Sequence, residues 1–131
     1  RLKALSLKLT TSGYDVSTAT DASEAIAAVR DTRPDLFLLD IDFPPDLAMG
    51  GGWDGLKIMR WLRGLSPVLH APFVILSGCD PKQYAPEAYA GGAIAFLEKP
   101  VDSRELLQVI RSTLERRTAP SSPAPLLVAS T

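Results

Sequence analysis

Three polar residues each stand at the end of a short apolar run, and together they could carry out group-transfer chemistry. Asp40 ends Leu36-Phe37-Leu38-Leu39, and Ser77 ends Phe73-Val74-Ile75-Leu76. Lys99 follows Ala93-Ile94-Ala95-Phe96-Leu97 after one intervening residue and precedes Pro100. Such runs read as buried strands, and in an open parallel α/β sheet ligands bind outside the carboxyl ends of the strands. A carboxylate, a hydroxyl and an ammonium converging there suit transfer of a phosphoryl group to the carboxylate. The acid would be the nucleophile, while hydroxyl and ammonium held the phosphoryl oxygens. Taken singly, Asp40 reads as a strand-end cap, Ser77 as a partner for a backbone group and Lys99 as a surface charge.

The elements that would position these groups follow from periodicity and punctuation. Leu2, Leu5 and Leu9 recur at helical spacing, so residues 1 to 11 read as a helix ended by Ser12-Gly13. Tyr14 to Thr18 reads as a short strand. Asp21 with Glu24 is a capping-box signature opening a helix with Ala22, Ala25, Ile26 and Val29 inward, stopped by Pro34. A third helix has Ile58, Trp61, Leu62 and Leu65 on its buried face. Pro81 begins a fourth, which Pro86 is expected to shorten or displace and Gly91-Gly92 to terminate. Asp102 and Glu105 cap a fifth, whose core face is Leu106, Leu107, Ile110 and Leu114. Helices alternate with near-continuously apolar strands, which predicts an α/β fold with a doubly wound parallel sheet.

Bulk properties bound the function. The 131 residues are enough for one domain with a core. A net charge of −1 gives no general attraction to nucleic acid or anionic membrane. Cys79 is the sole cysteine, so neither an intrachain disulfide nor a cysteine-based zinc site can form. No apolar run approaches a membrane span and no signal peptide is visible, so a cytoplasmic protein is expected. His70 lies in a Pro-flanked stretch without partner spacing, and Gly50-Gly51-Gly52 lacks the Lys-Ser/Thr of a P-loop.

The chain resembles the receiver domain of bacterial two-component response regulators, a CheY-like, flavodoxin-like fold. The resemblance rests on Leu38-Leu39-Asp40-Ile41-Asp42-Phe43-Pro44, Val74-Ile75-Leu76-Ser77-Gly78 and Gly92-Ala93-Ile94-Ala95-Phe96-Leu97-Glu98-Lys99-Pro100, in order and at family spacing. It implies a phosphoacceptor at Asp40, a Mg²⁺ ion on Asp40 and the backbone carbonyl of Asp42, and phosphoryl binding by Ser77 and Lys99. It further implies a cis-proline turn at Pro100 and a switch in which Phe96 follows Ser77. The implied partners are a sensor histidine kinase or phosphotransfer protein, and a downstream protein meeting the fourth and fifth helices. The implied role is a signalling module, not an enzyme.

Two departures stand out. The family's first strand and the acidic pair that ends it are not in the sequence as given, because Arg1 already lies in the first helix: either they lie upstream of it or another segment fills the slot, and without the pair Mg²⁺ binding is expected to be weak. Residues 1–117 read as the receiver and 118–131 as a Pro/Ser/Ala-rich tail. Within the tail, Pro125-Leu126-Leu127-Val128-Ala129 is apolar enough to replace the missing strand, in its own chain or, by domain swapping, in a neighbour's. Ser130 and Thr131 would then lie near the acidic positions. The second departure is the stretch from Pro44 to Gly55, about seven residues longer than the family's and readable as a tolerated insertion or a contributor to partner choice. Two rival functions remain at this point: a pseudo-receiver that binds partners without phosphorylation, and a small phosphatase using Asp40. The Phe43-Pro44 context argues against the phosphatase.

Overall fold

The structure, a computed structural model, describes residues 2–40, 55–64, 71–77, 81–99, 101–115 and 125–129. Its elements run α1 (Leu2–Thr11), β1 (Asp15–Ala19), α2 (Ala22–Thr32), β2 (Leu36–Asp40), α3 (Gly55–Arg63), β3 (Phe73–Ser77), α4 (Pro81–Ala90), β4 (Ala93–Glu98), α5 (Ser103–Glu115) and β5 (Pro125–Ala129). All five strands are parallel and form one sheet in the order β1-β5-β2-β3-β4. The expected α/β class and parallel sheet are both present. The place between β1 and β2 is taken by β5 of the same chain, as expected for the segment 125–129, and β5 pairs with β1 on one side and β2 on the other.

Alternation along the central strands explains why their sequences are apolar without interruption. Leu36 and Leu38 of β2, Val74 of β3, and Leu126 and Val128 of β5 pack with Leu9 of α1 and Leu106, Ile110 and Leu114 of α5. Phe37, Leu39, Phe73, Ile75, Leu127 and Ala129 point the other way, onto Ala25 and Val29 of α2, Met59 and Leu62 of α3, and Ala88 of α4. A strand covered on both faces has no solvent side to mark with polar residues.

The helix ends follow local chemistry. Asp21 caps α2 by accepting from the Glu24 N–H at 2.8 Å, but the Glu24 carboxylate does not return to Asp21. It accepts instead from the N–H and hydroxyl of Thr20, at 2.7 and 2.8 Å, one residue earlier than an ideal capping box. Those bonds, the backbone one first, hold the Glu24 carboxyl below its ordinary range. Their contribution is therefore present at neutral pH and is lost as pH falls through and below the usual glutamate range. Asp21→Ala should cost about 1 kcal/mol in urea unfolding. At its other end α2 closes on Arg33, in the left-handed region at φ 45°.

Two helices depart from expectation. The buried face of α3 is Met59 and Leu62, while Trp61 is exposed; Ile58 and Leu65, also expected inward, lie outside the described side chains. The helix is turned by about one residue, which a 3.6-residue period read over nine residues leaves open. The second departure is α4, which runs unbroken through Pro86. Pro86 is exposed, so the carbonyl deprived of its N–H partner can be solvated instead of orphaned in the core. Gly92, at φ 107°, then turns the chain into β4 as expected.

Candidate functional site

The three polar groups come to the carboxyl edge of the sheet through strand length and register. Asp40 is the last residue of β2 and pairs with Leu76, so Ser77 extends one position further on β3. Ser77 in turn pairs with Glu98 of β4, and the next residue on that side is Lys99. The Lys99 N–H donates to the Ser77 carbonyl at 2.7 Å, which continues the ladder one step past the strand. Hydroxyl and ammonium are thereby fixed to one main-chain clasp.

That register depends on a bulge. Phe73 pairs with Ala93, but Val74 pairs with Ala95, so Ile94 has no opposite number. Ile94 is turned outward, and side-chain parity changes there: Ala93 packs with the α2–α4 layer and Ala95 with the α1/α5 layer.

Lys99 Nζ donates to Asp40 Oδ2 in an ion pair between the carboxylate and the ammonium. Asp40 is 1% exposed and Ser77 is fully buried, while the Lys99 side chain is a quarter exposed. By alternation, Asp40 and Lys99 share the side of the sheet covered by α1 and α5. Ser77 follows Phe73 and Ile75 to the other side, where Phe96 also packs. Of the expected residues, Asp40, Ser77 and Lys99 are brought to one edge, and Phe96 lies two ladder positions short of it, opposite Ile75. Asp42 and Pro100 lie outside the described residues, as do Ser130 and Thr131.

Among the described residues the donor set fits a divalent cation poorly. Among the described residues no three His, Cys, Asp or Glu side chains converge. The strands flanking Asp40's neighbourhood end in Ala19 and Ala129, which offer no side-chain oxygen. A hard cation such as Mg²⁺ takes oxygen ligands, and Asp40 alone supplies a buried carboxylate among these strand ends.

Sequence reasoning missed a group that fixes the opposite edge of the sheet. Arg63, at the end of α3, donates to the Ala71 carbonyl at 2.7 Å and the Gly92 carbonyl at 3.0 Å. Its guanidinium lies 4.5 Å from the centroid of the Phe73 ring, which stacks on Phe37 at 4.6 Å. Burial lowers the Arg63 pKa from its ordinary value. The only sequence signal was a basic residue in the last helical turn, which ordinarily reads as a response to the helix dipole.

Comparison with known proteins shows the family and the fold. The response regulator receiver domain family matches residues 1–111. Response regulator PleD of Caulobacter vibrioides is 33% identical over 111 residues, which are 85% of this chain and 23% of PleD. Polar-differentiation response regulator DivK of Brucella anthropi is 28% identical, covering 79% of this chain and 78% of DivK. The receiver domain of NtrX from Brucella abortus superposes with a TM-score of 0.74 at 32% identity, covering 87% of this chain and 89% of that one. This chain thus spans about a quarter of PleD and nearly all of the isolated NtrX receiver.

Proposed function

The chain belongs to the response regulator receiver domain family, and from that premise we propose that Asp40 accepts a phosphoryl group and so switches a protein-interaction surface. The observation that carries this reading is the buried Asp40–Lys99 ion pair at the carboxyl edge of the sheet. The donor is a phosphohistidine on a sensor kinase or phosphotransfer protein. An Asp40 carboxylate oxygen attacks phosphorus, the P–N bond breaks, and the imidazole leaves with its electron pair. Lys99 is the cation nearest the nucleophile; it exchanges the carboxylate for the phosphoryl oxygens as the acyl phosphate forms. Ser77, buried one ladder step away, donates its hydroxyl to a phosphoryl oxygen.

Phe96 packs in the same layer as the side chains flanking Ser77, so movement of the hydroxyl opens space that the ring can enter. That couples the site to β4, α4 and α5, the elements through which a downstream protein would read the state. Tyr89 of α4 is 50% exposed, and Ile94 of β4, 45% exposed, lines an open groove with Ala95, Gln108, Val109, Ser112 and Thr113. The family's Mg²⁺ would rest on Asp40 and the carbonyl of residue 42. With one carboxylate among the described strand ends, no step is carried through the ion here. A cytoplasmic setting, where such partners occur, is part of the same reading; no helix among the described residues is long and apolar enough to cross a membrane.

Incubation with acetyl phosphate and Mg²⁺ should add about 80 Da to the intact mass, and Asp40→Asn should abolish the adduct. A folded chain that takes no adduct would instead favour a pseudo-receiver, a phosphorylation-independent interaction module, or a receiver whose acidic pair lies upstream of Arg1; repeating the assay with upstream residues added tells the two apart. What supports the pseudo-receiver reading is that no three His, Cys, Asp or Glu side chains converge among the described residues.

A further inference from the structure

We propose that Arg63 is a positioning residue for the groove beside β4: it locks that strand in the one of two registers that leaves Ile94 outside. Use of the groove by a partner rests on the proposed function, whereas the choice of register does not depend on it.

β4 is an edge strand, held by a ladder on one side only. It carries one residue more than β3 can pair between Phe73 and Val74. Two placements of that surplus residue leave everything nearer the site unchanged. In the observed one Ala93 stands opposite Phe73 and is buried, while Ile94 faces solvent and lines the groove. In the other, Ile94 would stand opposite Phe73, and the surplus would pass upstream into the turn as Ala93. Alternation would then run without a break, Ile94 joining the layer of Phe96 and Ala95 staying in the layer of Val74. Pairing from Val74 with Ala95 to Ser77 with Glu98, and the Lys99 N–H bond to Ser77, are common to both.

Burial alone favours the second register, since isoleucine hides more apolar surface than alanine and the ladder loses its bulge. What opposes it lies at the turn. Arg63 donates to the carbonyls of Ala71 and Gly92, so the entries to β3 and β4 are tied to one guanidinium. The residue held there against β4 must be a glycine. A Cβ on residue 92 would stand 2.9 Å from Arg63 Nη2 and 3.3 Å from Nε, and the backbone has φ 107°. The second register would bring Ala93, with its methyl group, to the place of Gly92, where the guanidinium excludes it. The guanidinium does not yield, because both carbonyls hold it and it lies over the Phe73 ring, itself stacked on Phe37.

Two single-thiol proteins read the register, Ala93→Cys and Ile94→Cys, each also carrying Cys79→Ser so that no other thiol competes. With Arg63 in place, a maleimide should react at position 94 and spare position 93. Arg63→Ala should reverse that order, with a gain of at least about tenfold at 93 and a loss at 94. Gains at both positions together, or no change at either, would overturn the proposal. Arg63→Lys keeps a cation near Phe73 without the fork that spans two carbonyls, and should move both rates in the same directions by less.

Deleting Ile94 removes the surplus residue and leaves a regular ladder with Ala93 opposite Phe73 and Ala95 opposite Val74. In that chain Arg63→Ala should leave a thiol at position 93 protected. Reactivity there equal to that of the undeleted chain would mean fraying of the strand end, and would also overturn the proposal. The Arg63 variants should keep the circular dichroism of the parent, because the second register retains every pairing toward the site. Unfolding on loss of Arg63 would count against a second register.

Discussion

Leu127→Asp should leave the chain without a cooperative unfolding transition. Leu127 is fully buried in β5, opposite Ser17 of β1 and Phe37 of β2. Losing a buried leucine side chain costs about 2–5 kcal/mol, and placing a carboxylate in an apolar layer adds several more. The sum reaches the whole stability of an ordinary domain, about 5–15 kcal/mol. The effect belongs to the position and not to the residue type. Ile94→Asp, on the exposed bulge of the edge strand, should change stability by no more than about 0.5 kcal/mol. Urea unfolding followed by circular dichroism separates the two. A Leu127→Asp chain unfolding close to the parent would mean that β5 is not an interior strand of the sheet.

The second large effect is at the site. Lys99→Met removes the cation bonded to a carboxylate that is 1% exposed. Breaking a fully buried pair costs about 3–5 kcal/mol; because the lysine side chain is a quarter exposed, about 1–3 kcal/mol is expected here. Asp40→Asn in the same chain should recover much of that loss, since a neutral amide has less need of a cation. A double-mutant cycle on unfolding free energies measures the coupling directly. Additive losses would mean that the ion pair contributes nothing to the folded state. In the phosphorylation assay, Lys99→Met should slow labelling by acetyl phosphate at least about tenfold, as expected when a charge-stabilising group is removed from a transfer site.

Much of this arrangement was legible because the relevant signals are local. The strands ending at Asp40 and Ser77 stand out as unbroken apolar runs bounded by Pro and polar residues, and both end where expected. Asp21, Gly13 and Gly92 mark helix ends through side-chain caps or positive φ, features a sequence displays directly. The family resemblance likewise agrees with the match over residues 1–111.

The unread parts depend on contacts between distant segments. Trp61 was placed inward by its helical spacing with Leu62 and Leu65, yet the packing selects Met59. Pro86 reads as a breaker when judged by its ring alone, whereas its exposure lets the helix continue. Nothing in Ala93-Ile94-Ala95 announces a bulge, since no glycine marks it. The bond from the Lys99 N–H to Ser77 needs two strands already in register before it exists.

The bulge at Ile94 makes β4 unequal in its tolerance of length changes. Upstream of it, one residue more or less can be taken up where the ladder is already irregular and the side chain already faces solvent. From Ala95 onward the strand runs in step with β3 through Ser77 and Glu98, with alternate residues committed to opposite layers. A single insertion there would send Phe96 into the wrong layer and carry the Lys99 side chain to the far side of the sheet from Asp40. Natural variation in the length of this strand should therefore gather at residues 92–94, leaving the half nearest the site constant in length even where its residue types drift.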